Sequence, residues 1–240
     1  MIFNPGSVKP KKVPILNESL PSDATVDVGG SATFEVSIAE DGNPAEYTYQ
    51  WYVNGSAVSG ATSSSYKKSN IAKGIYTVYC EVTNAAGVVK SRTATLTADK
   101  YYLFKNGSAA LTWGVTTDND TTASTASSAG STLTVGTSIY LAGIASESEI
   151  DVSDYSKLNV HVSQAGATRA GSWVRFGLAS DRSTEQNFKA SKSWPTGGEI
   201  SVGNYLCDIS SLTGSYYVKV GSYCCFYDGC PLKIDEVWLS

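Results

Sequence analysis

The sequence predicts an all-β protein: two tandem β-sandwiches behind an extended N-terminal arm. Three observations carry that reading. The 240 residues are rich in Gly, Ser, Thr, Val and Tyr, with one Met, one His and only 17% charged side chains, a mixture that favours strands and turns over helices. Apolar and polar residues alternate with the period of two that half-buried strands need. Turn signals separate these runs at short, regular intervals, and the length suits two ordinary domains.

Residues 1–21 read as an extended attachment arm. Pro5, Pro10 and Pro14 hold it open, Lys9, Lys11 and Lys12 make it basic, and Val13-Pro14-Ile15-Leu16 makes it apolar. Residues 22–98 read as the first sandwich. Ala32, Phe34, Val36 and Ile38 alternate with polar residues. Tyr47, Tyr49 and Trp51 lead into Asn54-Gly55, a two-residue hairpin turn. Gly74-Ile75-Tyr76 opens a strand with Tyr76, Val78, Cys80 and Val82 on one face, Asn84 to Gly87 turns the chain, and Val88 to Thr97 closes the domain.

Residues 99–240 read as the second sandwich. Tyr101 to Phe104 starts it, and 115–132 form a long polar loop. Strands are expected at Leu133–Val135, Ser138–Leu141, Leu158–Val162, Ser172–Ala179, Tyr205–Ile209, Tyr216–Val220 and Leu232–Leu239.

Two resemblances rest on these residues. Tyr49-Gln50-Trp51-Tyr52, Asn54-Gly55, Gly74-Ile75-Tyr76 and Cys80-Glu81-Val82-Thr83-Asn84 resemble immunoglobulin-like domains of bacterial and phage surface proteins. That resemblance implies a core Trp51, but Val36 stands where the partner of Cys80 belongs, so no inter-sheet disulfide is expected. Tyr76 also lies four residues before Cys80, not two. Residues 150–158, 208–217 and 232–238 resemble galactose-binding-like, carbohydrate-module sandwiches of cell-surface and phage proteins. This implies a lectin-like domain, with no ligand residue carried over by position.

Composition narrows the function. Residues 1–98 carry eight basic and eight acidic side chains, and 99–240 carry ten and fourteen, so no basic stripe invites nucleic acid. No run of about 18 apolar residues is present, so no membrane span is expected. The start lacks the apolar core of a secretory leader, which places synthesis in the cytoplasm. Five cysteines, Cys80, Cys207, Cys224, Cys225 and Cys230, make an odd set that reads as free thiols. No catalytic residue, metal ligand set or cofactor is assigned: His161 lacks a nucleophile partner by motif, and Glu147, Glu149 and Asp151 read as a solvated edge. Asp118 and Asp120 offer oxygens to a structural Ca²⁺ of the kind similar sandwiches carry.

Saccharide sites need flat aromatic faces and a few fixed polar groups. Trp194, beside Pro195 in a Gly-containing loop, is the first candidate platform, and Tyr223 is another. Alternation turns Trp173 and Arg175 outward on one strand and His161 outward on another, a composite face if those strands are neighbours. The expectation is a non-enzymatic bacteriophage virion protein, made in the host cytoplasm and present in several copies. The arm would hold it to other virion proteins, and the second sandwich would bind a host cell-surface glycan. The alternatives are a cell-wall-binding accessory module of a bacterial surface protein or hydrolase, and a purely structural capsid or tail decoration.

Overall fold

The computed structural model describes residues 9–116, 130–135, 141–167, 173–182, 187–194, 197–223 and 231–240. Val115, Leu141, Ala142, Ala167, Trp173, Ser222 and Tyr223 are described by their backbones alone. The chain is all-β and divides into two compact units, Met1–Lys100 and Tyr101–Ser240, each built of facing sheets.

The first unit contains β1 (Ile15–Leu16), β2 (Ala24–Asp27), β3 (Ala32–Glu35), β4 (Ile38–Glu40), β5 (Thr48–Val53), β6 (Ser56–Ala57), β7 (Ser65–Lys68), β8 (Gly74–Asn84), β9 (Gly87–Lys90) and the start of β10 (Ala94–Lys105). Pairs β1–β4 and β3–β7 are two short two-stranded sheets. The larger sheet runs β2, β10, β8, β5, β6, with β9 also on β8. Among the described residues of this unit, only β2, beside β10, pairs in parallel. Asn54 (φ 51°) and Gly55 (φ 79°) take the left-handed backbone that the β5–β6 turn requires.

Period-two patterning sends Phe34, Trp51, Val78, Cys80, Val82 and Leu96 into one core. Trp51 is fully buried, and its indole N–H donates to the Ser63 carbonyl at 2.9 Å. Cys80 lies in the same core as Val36 without a disulfide, and burial pushes its thiol up to about 11. Tyr76 donates its hydroxyl to the Ala72 carbonyl at 2.9 Å, the upstream backbone bond of a tyrosine corner. The four-residue offset from Cys80 does not prevent it.

From residue 9 the arm is more than an attachment strap: it is part of this unit. Lys12 and Asn43 exchange backbone hydrogen bonds of 3.0 and 2.7 Å. The Asn84 amide donates to the Lys12 carbonyl at 2.8 Å. Arg92 holds the arm's end, donating to the Pro21 carbonyl at 2.6 Å and to both carboxylate oxygens of Asp23 at 2.9 Å. Leu16, the apolar end of the arm, enters the core through the β1–β4 pairing. Leu16→Ala should therefore cost about 2–3 kcal/mol of first-unit stability through lost burial and a cavity. A denaturant melt of that unit reads it; an unchanged midpoint would mean the arm is only a strap.

The second unit contains the rest of β10, then β11 (Ser108–Ala109), β12 (Trp113–Thr116), β13 (Leu133–Val135), β14 (Leu141–Ser146), β15 (Ile150–Asp151), β16 (Lys157–Gln164), β17 (Gly166–Ala167), β18 (Trp173–Ala179), β19 (Phe188–Trp194), β20 (Glu199–Ile200), β21 (Gly203–Asp208), β22 (Ser215–Tyr223) and β23 (Leu232–Leu239). One sheet runs β21, β16, β23, with β10 and β13 both on β23. The facing sheet runs β12, β14, β22, β18, β19. Leu158, Val160 and Val162 from one sheet and Val174, Phe176 and Leu178 from the other share a core. Of the expected strands, most of Ser138–Leu141 lies outside the described residues, as do Asp118, Asp120, Cys224, Cys225 and Cys230.

Two turns with the same Asp-apolar-Ser pattern interlock at one end of this sandwich. Asp151 accepts the Ser153 N–H and hydroxyl at 2.9 and 2.6 Å; Asp208 does the same for Ser210 at 2.9 and 2.7 Å. Val152 and Ile209, between each pair, are fully buried. Val152 N–H reaches the Gly214 carbonyl, and Ile209 N–H reaches the Ser156 carbonyl. The serine hydrogen bonds hold both carboxyls below their usual range. A folded-state pKa below the unfolded one gives stability that is present above about pH 4 and is lost as pH falls through the folded value. Asp208→Asn, in urea melts of the full chain from pH 5 downward, should flatten part of that acid loss; an identical slope would show that this carboxylate contributes nothing.

Candidate functional site

The proposed composite face does not form. His161 points outward, as alternation requires, but β16 pairs with β21 and β23. Trp173 and Arg175 lie on β18, which pairs with β19 and β22 in the opposite sheet. Two strands with the right polarity share a face only if they are hydrogen-bonded neighbours, and these are separated by the core. The side chains of Trp173 and Tyr223 lie outside what is described.

Trp194 is not an exposed platform. Phe188–Trp194 is a strand rather than a loop, and Trp194 pairs with the inward-facing Val174. It is only 3% exposed, with Phe176 at 4.8 Å and Tyr205 edge-on at 5.3 Å between ring centroids. Lys192, two residues earlier on the strand, is exposed. Trp194→Ala should cost about 3–5 kcal/mol by opening a cavity, with ligand binding per folded molecule unchanged. Thermal melts beside binding assays decide it: weaker binding at normal stability would return Trp194 to the surface.

Around His161 the structure builds a different surface. Along β23, Ile234 and Val237 both face the core, so the two residues between them break alternation. The β16 register steps from Glu236 directly to Ile234, leaving Asp235 as the extra residue of a bulge. Asp235 Oδ1 lies 2.6 Å from His161 Nδ1. One cross-strand row on the outer face then reads Asn204, His161, Glu236, Lys105. The next reads Leu206, Asn159, Trp238, Tyr102. The Lys105 ammonium stands 3.9 Å from the Tyr102 ring centroid, and Tyr102 packs on Trp238 at 5.8 Å.

Asn159 braces the second row: its side-chain amide donates to the Trp238 carbonyl at 3.4 Å and to the Ser240 hydroxyl at 3.1 Å. Leu206 is 45% exposed beside it. Trp238 is buried although it points away from the core. Sequence reasoning missed Asp235, Glu236, Tyr102 and Lys105. The signal was two adjacent acids inside an apolar strand run, which period two does not allow without a bulge. Among the described residues, no serine, threonine or cysteine is hydrogen-bonded to His161, and no group of three or more His, Cys, Asp or Glu side chains is arranged to hold a metal ion.

No family model matches the chain, and no curated protein matches it. Solved structures with local likeness include a quinonprotein alcohol dehydrogenase-like protein of Bacteroides thetaiotaomicron (13% identity, TM-score 0.29, 53% of this chain and 35% of that one). Another is the secreted serine protease VesC of Vibrio cholerae (11%, 0.35, 91% and 49%). A third is the M60 catalytic domain with two CBM51 domains from Clostridium perfringens ZmpB (14%, 0.28, 96% and 23%). The chain spans less than half the length of each of these three.

Proposed function

We propose that the chain is a non-enzymatic virion protein of a bacteriophage, with the first unit as the particle-attached module and the second binding host cell-surface carbohydrate. The observation that carries the binding reading is the outer face around His161. A bulge fixes an imidazole, two carboxylates, an ammonium and an aromatic pair on one side of a sheet whose other side is sealed core. Polar groups held by one another are prearranged for the hydroxyls of a sugar, and the Tyr102 ring supplies an apolar edge. Binding is favoured over catalysis because the His161–Asp235 pair has no hydrogen-bonded nucleophile among the described residues.

The virion setting rests on the sequence resemblances, an immunoglobulin-like domain followed by a lectin-like one. Attachment to the particle would use the first unit with its arm, where Ile15 is exposed. The test is the full-length protein on a glycan array and on host cell walls, beside His161→Ala and Asp235→Asn. Each substitution should weaken glycan retention about 5- to 150-fold at an unchanged melting temperature. Retention of no glycan by the unaltered protein would favour the purely structural decoration reading.

A further inference from the structure

We propose that Asn106 is a site of spontaneous deamidation in the folded protein, and that its twin, Asn54, is protected by one hydrogen bond. The inference does not depend on what the second unit binds.

The sequence supplies a matched pair. Asn-Gly-Ser-Ala occurs twice, at 54–57 and at 106–109. Both copies make the same turn. Val53 pairs with Ser56 and Lys105 with Ser108, so Asn-Gly is a two-residue hairpin loop each time. The asparagines have φ of 51° and 49°, and the glycines that follow have 79° and 87°. Asn54, Gly55, Asn106 and Gly107 are all exposed.

Asparagine before glycine carries an electrophile and a nucleophile on one short stretch of chain. The glycine nitrogen attacks the asparagine Cγ and a C–N bond forms. The side-chain amide nitrogen leaves as ammonia, taking the proton that the glycine nitrogen gives up. Water then opens the cyclic imide at either carbonyl, leaving aspartate or isoaspartate. Nothing is oxidised or reduced, and water is the co-reactant. Glycine favours the attack because no side chain crowds its nitrogen and its backbone turns freely.

The fold treats the two copies differently. Ring closure requires either turn to relax from its left-handed backbone, a cost that both share. Among the described residues, neither the Gly55 nor the Gly107 N–H is hydrogen-bonded. Each asparagine N–H donates to a neighbouring strand, Asn54 to the Thr77 carbonyl at 2.9 Å and Asn106 to the Asp235 carbonyl at 2.8 Å. At Asn54 the neighbouring strand also bonds back: the Thr77 N–H donates to Asn54 Oδ1 at 2.9 Å. That bond ties the Asn54 carboxamide to β8, and ring closure has to break it. The Asn106 carboxamide has no such bond among the described residues. Its product matters locally. A carboxylate at 106 adds negative charge beside Asp235, and isoaspartate also puts an extra methylene into the backbone of the turn.

The experiment ages the full-length protein in mildly alkaline buffer, folded and in urea. Peptide masses then give the converted fraction at each Asn-Gly, and enzymatic methylation counts isoaspartate. In the folded chain Asn106 should convert roughly 2- to 10-fold faster than Asn54, the weight of one neutral hydrogen bond in a rate. In urea the two rates should come together, because unfolding removes the cap and leaves the same Asn-Gly-Ser-Ala. Asn106→Ser should abolish the fast product and leave the Asn54 rate unchanged. The substitution belongs at Asn106, since a Cβ on Gly107 would lie 2.9 Å from the Gly130 carbonyl oxygen. The inference is overturned if Asn54 converts as fast as Asn106 in the folded chain, or if neither converts there while both do in urea. It is equally overturned if the difference persists in urea, which would place its cause in the flanking residues.

Discussion

A strand's pleat sends successive side chains to opposite faces, and the second unit depends on two places where adjacent strands break that alternation together. On β10, Leu103 and Phe104 both enter the core. On β23, Asp235 and Glu236 both stay out. Phe104 pairs with Val237 and Lys105 with Glu236, so the two irregularities sit side by side. If β10 kept strict alternation through Leu103, Phe104 would turn to solvent and Lys105 toward the core. That would put a large apolar ring in water and an ammonium among valines, which is far costlier than a bulge. The β10 bulge at Leu103 therefore solves a burial problem, and beside it the β23 bulge leaves Asp235 outside, against an imidazole.

The other outer face obeys a different constraint. Gly114, Gly143, Gly177 and Gly221 occupy interior strand positions, where glycine weakens a sheet by leaving nothing to pack. At Gly177 a Cβ would collide with the Ala190 carbonyl oxygen, so close approach of β19 explains that one. At Gly114 the approaching groups are the side chains of Arg182 and Glu147 instead. One sheet thus uses glycine both to let a strand in and to let charged side chains lie across it.

The fold was legible because period two is strong wherever a strand has one buried face. Leu232–Leu239 was located to the residue, and the cores around Trp51 and around Leu158, Val160 and Val162 follow directly from alternation. Strand Phe188–Trp194 was missed: its run of Lys, Ala and Ser lacks alternation because it is an edge with few residues to bury. That miss put Trp194 in a loop and so on the surface. The composite site failed for another reason. Alternation says which way a side chain points, but not which strand lies beside it, and strand order is set by contacts distant in sequence. Asp235 was passed over for the converse reason: it defies the very pattern that locates its strand.

The parallel pairing of β2 with β10 has a mechanical consequence. β2 lies near the start of the first unit, and β10 carries the chain out of it. In a parallel pair, tension that draws the entering strand back and the leaving strand forward slides one along the other. The ladder from Ala24–Leu96 to Asp27–Lys100 then bears load in shear, all rungs at once, rather than peeling one rung at a time. The bidentate grip of Arg92 on Asp23 sits at the head of the same ladder. A domain stretched between a surface at one end and an anchored load at the other would resist extension there first.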